Sequence, residues 1–215
     1  MRRETIAMRI KPGMKDEFRR RCKEEFPGLF ASQNLKGINN FSIWSVEDLV
    51  FVYSEVDDEV TAEEVKALAK SFLEYWQDCC ECLGSPVTKP MRLMYEDIGI
   101  IREDKSLIRH RVFVTKLKPG CAEEYKRRHD ELAASRGGKV NPGPESNFTI
   151  WNAGDYIFGY CELVKSMEKE PTPEEKQATI DWETRGLEIM DWITDDVDWL
   201  TGEKHEKIEL MFKQN

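Results

Sequence analysis

Residues 5–10 alternate apolar and polar side chains among β-formers, which predicts a strand. Lys11-Pro12-Gly13 then turns the chain into a stretch of helical spacing that runs to about Gln33. Two short β-rich runs follow at residues 41–44 and 49–55, and the Glu47-Asp48 turn between them makes a hairpin. Thr61 stands ahead of a second helix from Ala62 to about Leu83, with Glu63 and Glu64 in its first turn. Gly84, Pro86 and Pro90 stop that helix, and residues 91–95 read as a closing strand. The order βαββαβ is the ferredoxin-like split unit.

The same pattern then recurs. Moving 107 positions along, Lys11-Pro12-Gly13 falls on Lys118-Pro119-Gly120, and Glu17 on Glu124. Asn40-Phe41-Ser42-Ile43-Trp44 falls on Asn147-Phe148-Thr149-Ile150-Trp151, and Asp48, Phe51, Tyr53 and Glu55 fall on Asp155, Phe158, Tyr160 and Glu162. So many coincidences without a gap mark a tandem duplication. The second copy reads as a strand at 109–116, a helix to about Arg136, a hairpin at 148–151 and 156–163, a helix opened by Thr172-Pro173-Glu174-Glu175, and a closing strand at 207–212. The expected organisation is a repeat at 1–101 and a repeat at 108–215, joined by residues 102–107. The expected fold class is α+β: two ferredoxin-like βαββαβ units packed sheet against sheet as an intrachain, pseudo-dimeric α/β barrel. A fused pair of that kind is expected to be a monomer.

Composition narrows the partners. With 41 acidic against 32 basic side chains, the formal net charge is −9, so no basic patch invites nucleic acid. No apolar run approaches the ~18 residues of a membrane span, and the N-terminus has no apolar signal core. The chain reads as cytoplasmic. Cys79, Cys80 and Cys82 are expected to crowd one helix, but no second Cys/His pair supplies zinc-type spacing, so buried thiols are expected rather than a metal site. No glycine-rich phosphate loop is present.

The candidate chemistry lies on the first helix of the second repeat. Tyr125 and His129 are four residues apart and share a face. A phenol beside an imidazole suits proton transfer to and from an oxygen. In the sister helix Phe18 and Cys22 occupy the same places, with both groups removed. The plainer reading is that Tyr125, His129 and Leu132 form a core-facing stripe. His110, on a strand, and His205, in a polar turn, read as surface residues. Arg19-Arg20-Arg21 lies among Asp16, Glu17, Glu24 and Glu25 and reads as a solvated face. Trp44 and Trp151 read as packing residues at matching places.

At these residues the chain resembles the L-rhamnose mutarotase family. The Pro-turn, the helix bearing Glu-Glu-Tyr-x-Arg-Arg-His and the Asn-aromatic-x-Ile-aromatic strand carry the resemblance. It implies cofactor-free interconversion of the α and β anomers of a small sugar, with no metal. It implies His129 as the catalytic proton donor with Tyr125 beside it, and Phe148 as the hairpin aromatic where the family pattern has Tyr. For the family's helix Trp-Trp pair it offers Ile189-Met190, or Trp192 after a small shift. In the first repeat it assigns Tyr75 and Trp76 to the aromatic pair and Phe41 to the hairpin, with Phe18 and Cys22 in place of Tyr and His. Two other outcomes stay open: a non-catalytic descendant that binds a ligand or partner, and a cofactor-free monooxygenase on the same barrel.

Overall fold

The computed structural model describes residues 1–33, 35–83, 91–140, 142–194 and 198–214. The chain forms two compact units, Met1–Met91 with Ile208–Asn215, and Arg92–Lys207. The first holds β1 (Arg2–Ile10), α1 (Lys15–Glu24), α2 (Phe26–Ser32), β2 (Ile38–Val46), β3 (Leu49–Val56), α3 (Ala62–Trp76) and β4 (Cys80–Cys82). The second holds β5 (Arg92–Gly99), β6 (Ile108–Leu117), α4 (Ala122–Ser135), β7 (Glu145–Ala153), β8 (Tyr156–Val164), α5 (Pro173–Gly186), β9 (Met190–Trp192) and the short α6 (Asp198–Thr201). The last strand, β10 (Glu209–Gln214), returns to the first unit. Each unit is ferredoxin-like, an antiparallel five-stranded sheet with helices, and the class is α+β as the pattern predicts.

The strand orders are β10-β2-β3-β1-β4 and β5-β7-β8-β6-β9. The closing strand of each repeat therefore completes the other repeat's sheet. Tyr95 pairs with Ile150 on β7, and Phe212 pairs with Ile43 on β2, each just after a matching register shift. Because β5 and β10 carry equivalent patterns onto equivalent edges, the pattern alone does not say which edge each strand takes.

Local chemistry explains the elements. Thr61 and Thr172 each accept a hydrogen bond from the backbone three residues on, while Glu64 and Glu175 reach back, so both second helices open with a full capping box. The first helix of the first unit does not run unbroken to Gln33; it breaks at Glu25, one residue before α2. Pro27 has no N–H to bond the preceding turn, which favours a new start there. Nor does α3 reach Leu83: it stops at Trp76, and Cys80–Cys82 pairs with β1 as an edge strand. The cysteine trio is thus off the helix, and all six cysteines are free. The predicted stop residues Gly84, Pro86 and Pro90 lie outside the described residues. Among the described residues no helix is long and apolar enough to cross a membrane, and no group of three or more His, Cys, Asp or Glu could hold a metal ion.

The Arg19-Arg20-Arg21 run is the solvated face its acidic neighbours suggest. Arg20 and Arg21 both bond Glu17, Arg21 also bonds Asp78, and Arg19 bonds Glu209. Trp44 and Trp151 are buried. His110 is not a surface residue: it is half-buried, its ring 5.4 Å from Tyr160. His205 is also half-buried, its Nε2 3.7 Å from Glu203.

One cross-strand pair shapes the second unit. Phe113 on β6 faces Gly159 on β8, where the first unit sets Ile6 opposite Val52. A Cβ on Gly159 would lie 2.2 Å from the Phe113 ring. Gly159→Ala is expected to push Phe113 aside and to destabilise the second unit by ~1–3 kcal/mol, the cost of overpacking. Urea unfolding checks this, and adding Phe113→Ile should restore part of the loss by making room for the new methyl, as Ile6 leaves room for a side chain opposite it in the first unit.

Candidate active site

α4 enters through Pro119 and Gly120, the latter at a φ of 78° that suits glycine. It continues unbroken to Ser135, so Tyr125 and His129 share the face turned to the sheet. Both are buried, Tyr125 at 4% and His129 at 7% exposure. Their rings stack at 4.3 Å between centroids and 25° between planes. The imidazole Nδ1 lies 2.9 Å from the Tyr125 carbonyl oxygen. A carbonyl only accepts, so Nδ1–H donates, and the neutral ring presents Nε2 as a proton acceptor. Burial, the largest influence, holds the His129 pKa below the ordinary histidine value. The Tyr125 carbonyl and Asp130 oppose that shift, and Lys126 adds to it. Burial, and then the Glu183 carboxylate, push the Tyr125 phenol well up, so it stays protonated at neutral pH.

These groups border a cavity of about 410 Å³ within the second unit. Tyr95 and Trp182 each approach the imidazole to 5.4 Å, Trp182 nearly edge-on at 87°. Phe148 packs on Tyr95, and Trp192 packs on Phe113. Glu183, 8% exposed, brings a carboxyl into the same wall. The hydroxyl oxygen of Tyr95 is buried with no hydrogen-bond partner among the described residues. Aromatic walls with a few convergent polar groups are the usual make-up of a site for a small organic ligand.

The structure gathers Tyr125, His129, Phe148 and Trp192 around this one cavity. It does not place Phe41, Tyr75 and Trp76 there. Phe41 and Tyr75 border a separate cavity in the first unit, and Trp76 is fully buried against Phe18, Phe26 and Tyr75. The backbone also fixes the alignment of the second helices. Lys11 N–H donates to the Cys79 carbonyl, and Lys118 N–H to that of Ile189. Tyr75 and Trp76 therefore correspond to Arg185 and Gly186, not to Ile189-Met190. Trp192 is reached on strand β9 and not on a helix.

Sequence reasoning missed Tyr95, Trp182 and Glu183. Counting from the two capping threonines would have set Trp182 close to Phe72. Tyr95 carried no such signal, because it joins the site only through the exchange of closing strands.

The family model described as L-rhamnose mutarotase matches residues 3–93 and again 110–214. No curated protein and no solved structure matches the chain. The two matched stretches cover most of the chain, one per repeat, and that family consists of isomerases acting on a sugar. The chain belongs to the L-rhamnose mutarotase family.

Proposed function

We propose that the second unit interconverts the α and β anomers of an L-rhamnose-like monosaccharide in the His129 cavity, without a cofactor. The observation that carries this reading is the His129 imidazole. It is buried, tied at Nδ1 and stacked on Tyr125, at the edge of a cavity wide enough for a sugar. Opening a hemiacetal needs a base for the anomeric hydroxyl proton and an acid for the ring oxygen. His129 Nε2 takes the proton from the hydroxyl on C1. The imidazolium so formed gives that proton to the ring oxygen as the C1–O bond breaks, with the Glu183 carboxylate in the same wall to stabilise its charge. Rotation about C1–C2 turns the aldehyde over, and the reverse transfers close the ring on the other face. Each group ends in its starting state, so no redox partner enters the balance.

Tyr125 is the positioning residue. Its stacked ring holds the imidazole plane, and its raised phenol pKa keeps the phenol itself neutral at neutral pH. Trp182, Phe148 and Trp192 offer faces for the apolar side of the pyranose. Arg185 and Gly186 replace the family's Trp-Trp pair, and Phe148 lacks the hairpin hydroxyl, so the sugar preference shifts away from L-rhamnose itself. The protein is proposed to be cytoplasmic and monomeric.

Saturation-transfer NMR of anomer exchange, with L-rhamnose, L-fucose, galactose and glucose, tests the reading. Acceleration on one of them is expected, and no acceleration on any would sink it. The pH dependence follows from the lowered His129 pKa. The base form is present at neutral pH and is lost only as pH falls through that lowered value. The rate should therefore be level near pH 7, with its acidic limb below the ordinary histidine pKa of ~6.5. An acidic limb centred at or above that value would contradict His129 as the base.

A further inference from the structure

The first unit keeps a cavity where the second has its candidate site, and its lining has changed character. It measures about 360 Å³, at the low end of the ~300–1,000 Å³ typical of small-molecule sites. The backbone alignment gives the replacements. Glu145 of the second cavity is Ile38 in the first, Arg136 is Leu29, Thr179 is Ala69 and Trp182 is Phe72. Glu183, too, corresponds to a leucine, Leu73. Tyr125 and His129 are replaced by Phe18 and Cys22, both fully buried.

A copy that had merely lost its site would gain by filling the space, because each Å³ of empty apolar cavity costs ~24 cal/mol. Part of it is filled. Trp76 stands where the second unit has Gly186, and Phe26 is brought in by the break before α2. The remainder is left half-open and apolar, walled by Phe30, Phe41 and Phe72. The rim is charged but not balanced. Arg2 donates to the Val60 carbonyl and lies 4.0 Å from Glu4, which occupies it. Lys66, also on the rim, has no ion pair among the described residues.

We propose that the first unit binds a small amphiphilic anion, a carboxylate carried on a single alkyl chain. The chain lies against Phe30, Phe41 and Phe72, and the carboxylate meets Lys66. This is a binding site of the inactive copy, independent of the reaction assigned to the second unit.

Isothermal titration of the full-length protein with decanoate tests it. One molecule per chain is expected to bind. Lys66→Glu, on an exposed position, should weaken binding about tenfold, equivalent to ~1.4 kcal/mol, and decanol should bind the wild type about as poorly. Ala69→Phe, which fills the cavity, should abolish binding while sugar anomer exchange and circular dichroism stay at wild-type values. His129→Cys should leave decanoate binding unchanged. Absence of binding at millimolar decanoate overturns the proposal. So does binding insensitive to either Lys66→Glu or Ala69→Phe, or binding lost in His129→Cys, which would put the ligand in the other cavity.

Discussion

His129→Cys should lower the anomer-exchange rate by ~10²–10⁴-fold, the usual contribution of a positioned general base, with the fold retained. The substitution is one the molecule already contains. Cys22 occupies this place in the sister helix, fully packed, 1% exposed. Burial there pushes the thiol pKa up to about 12, so a cysteine in such a setting holds its proton and does not replace the imidazole at neutral pH. The variant separates chemistry from folding better than alanine, which would leave a larger void beside Tyr125. Glu183→Gln should also slow exchange, because the amide keeps the shape of the carboxyl but lacks the charge that stabilises the imidazolium formed in the reaction. NMR exchange rates, with circular dichroism as the folding control, decide the matter. A His129→Cys rate equal to wild type would remove the catalytic assignment and leave the stacked pair as core packing.

The largest stability effect is expected from Lys105→Met, a loss of ~3–5 kcal/mol in the second unit, typical of an ion stranded in the interior. Lys105 lies in the stretch between the repeats, in a short turn set by the Asp104 side chain. Its ammonium donates to both carboxylate oxygens of Glu162, at 2.9 and 2.8 Å, and the Glu162 side chain is wholly buried. Asn147 and Tyr160 donate to the same carboxylate at 3.2 and 3.1 Å. Asn147 sits at a φ of 52°, a left-handed conformation that asparagine tolerates, at the register shift between β7 and β8. The network thus fixes the bulge that sets the hairpin bearing Phe148. Removing the ammonium takes the bidentate cation away from a wholly buried carboxylate. Urea unfolding of Lys105→Met measures the loss, and adding Glu162→Gln should recover much of it by removing the stranded charge. A single variant as stable as wild type would mean that the remaining partners satisfy Glu162 without the ammonium.

Much of this was legible without coordinates. The 107-residue repeat, the two Thr-capped helices, both hairpins and the contrast of Tyr125/His129 with Phe18/Cys22 were all written in local pattern. Capping, turns and i,i+4 spacing act over a few residues, so a single stretch of chain displays them. The family resemblance rested on those same residues and was matched twice over by the family model. Local pattern misleads where a residue's place depends on partners far away. Cys80–Cys82 looked helical because its neighbours do, but the open edge of β1 recruits it as a strand. The resemblance offers Ile189-Met190 for the aromatic pair, while the backbone bonds to Cys79 and Ile189 require another register.

The sequence by itself determined that there are two related units and which one carries an imidazole. Those are properties of residue type and spacing, which need no third dimension. Only the tertiary structure decided that β5 crosses to the second sheet, bringing Tyr95 against His129, and that Trp182 and Glu183 converge on the same cavity. Equivalent strands fit equivalent edges equally well, so which edge each takes is settled by the packing of the whole chain and not by its local pattern.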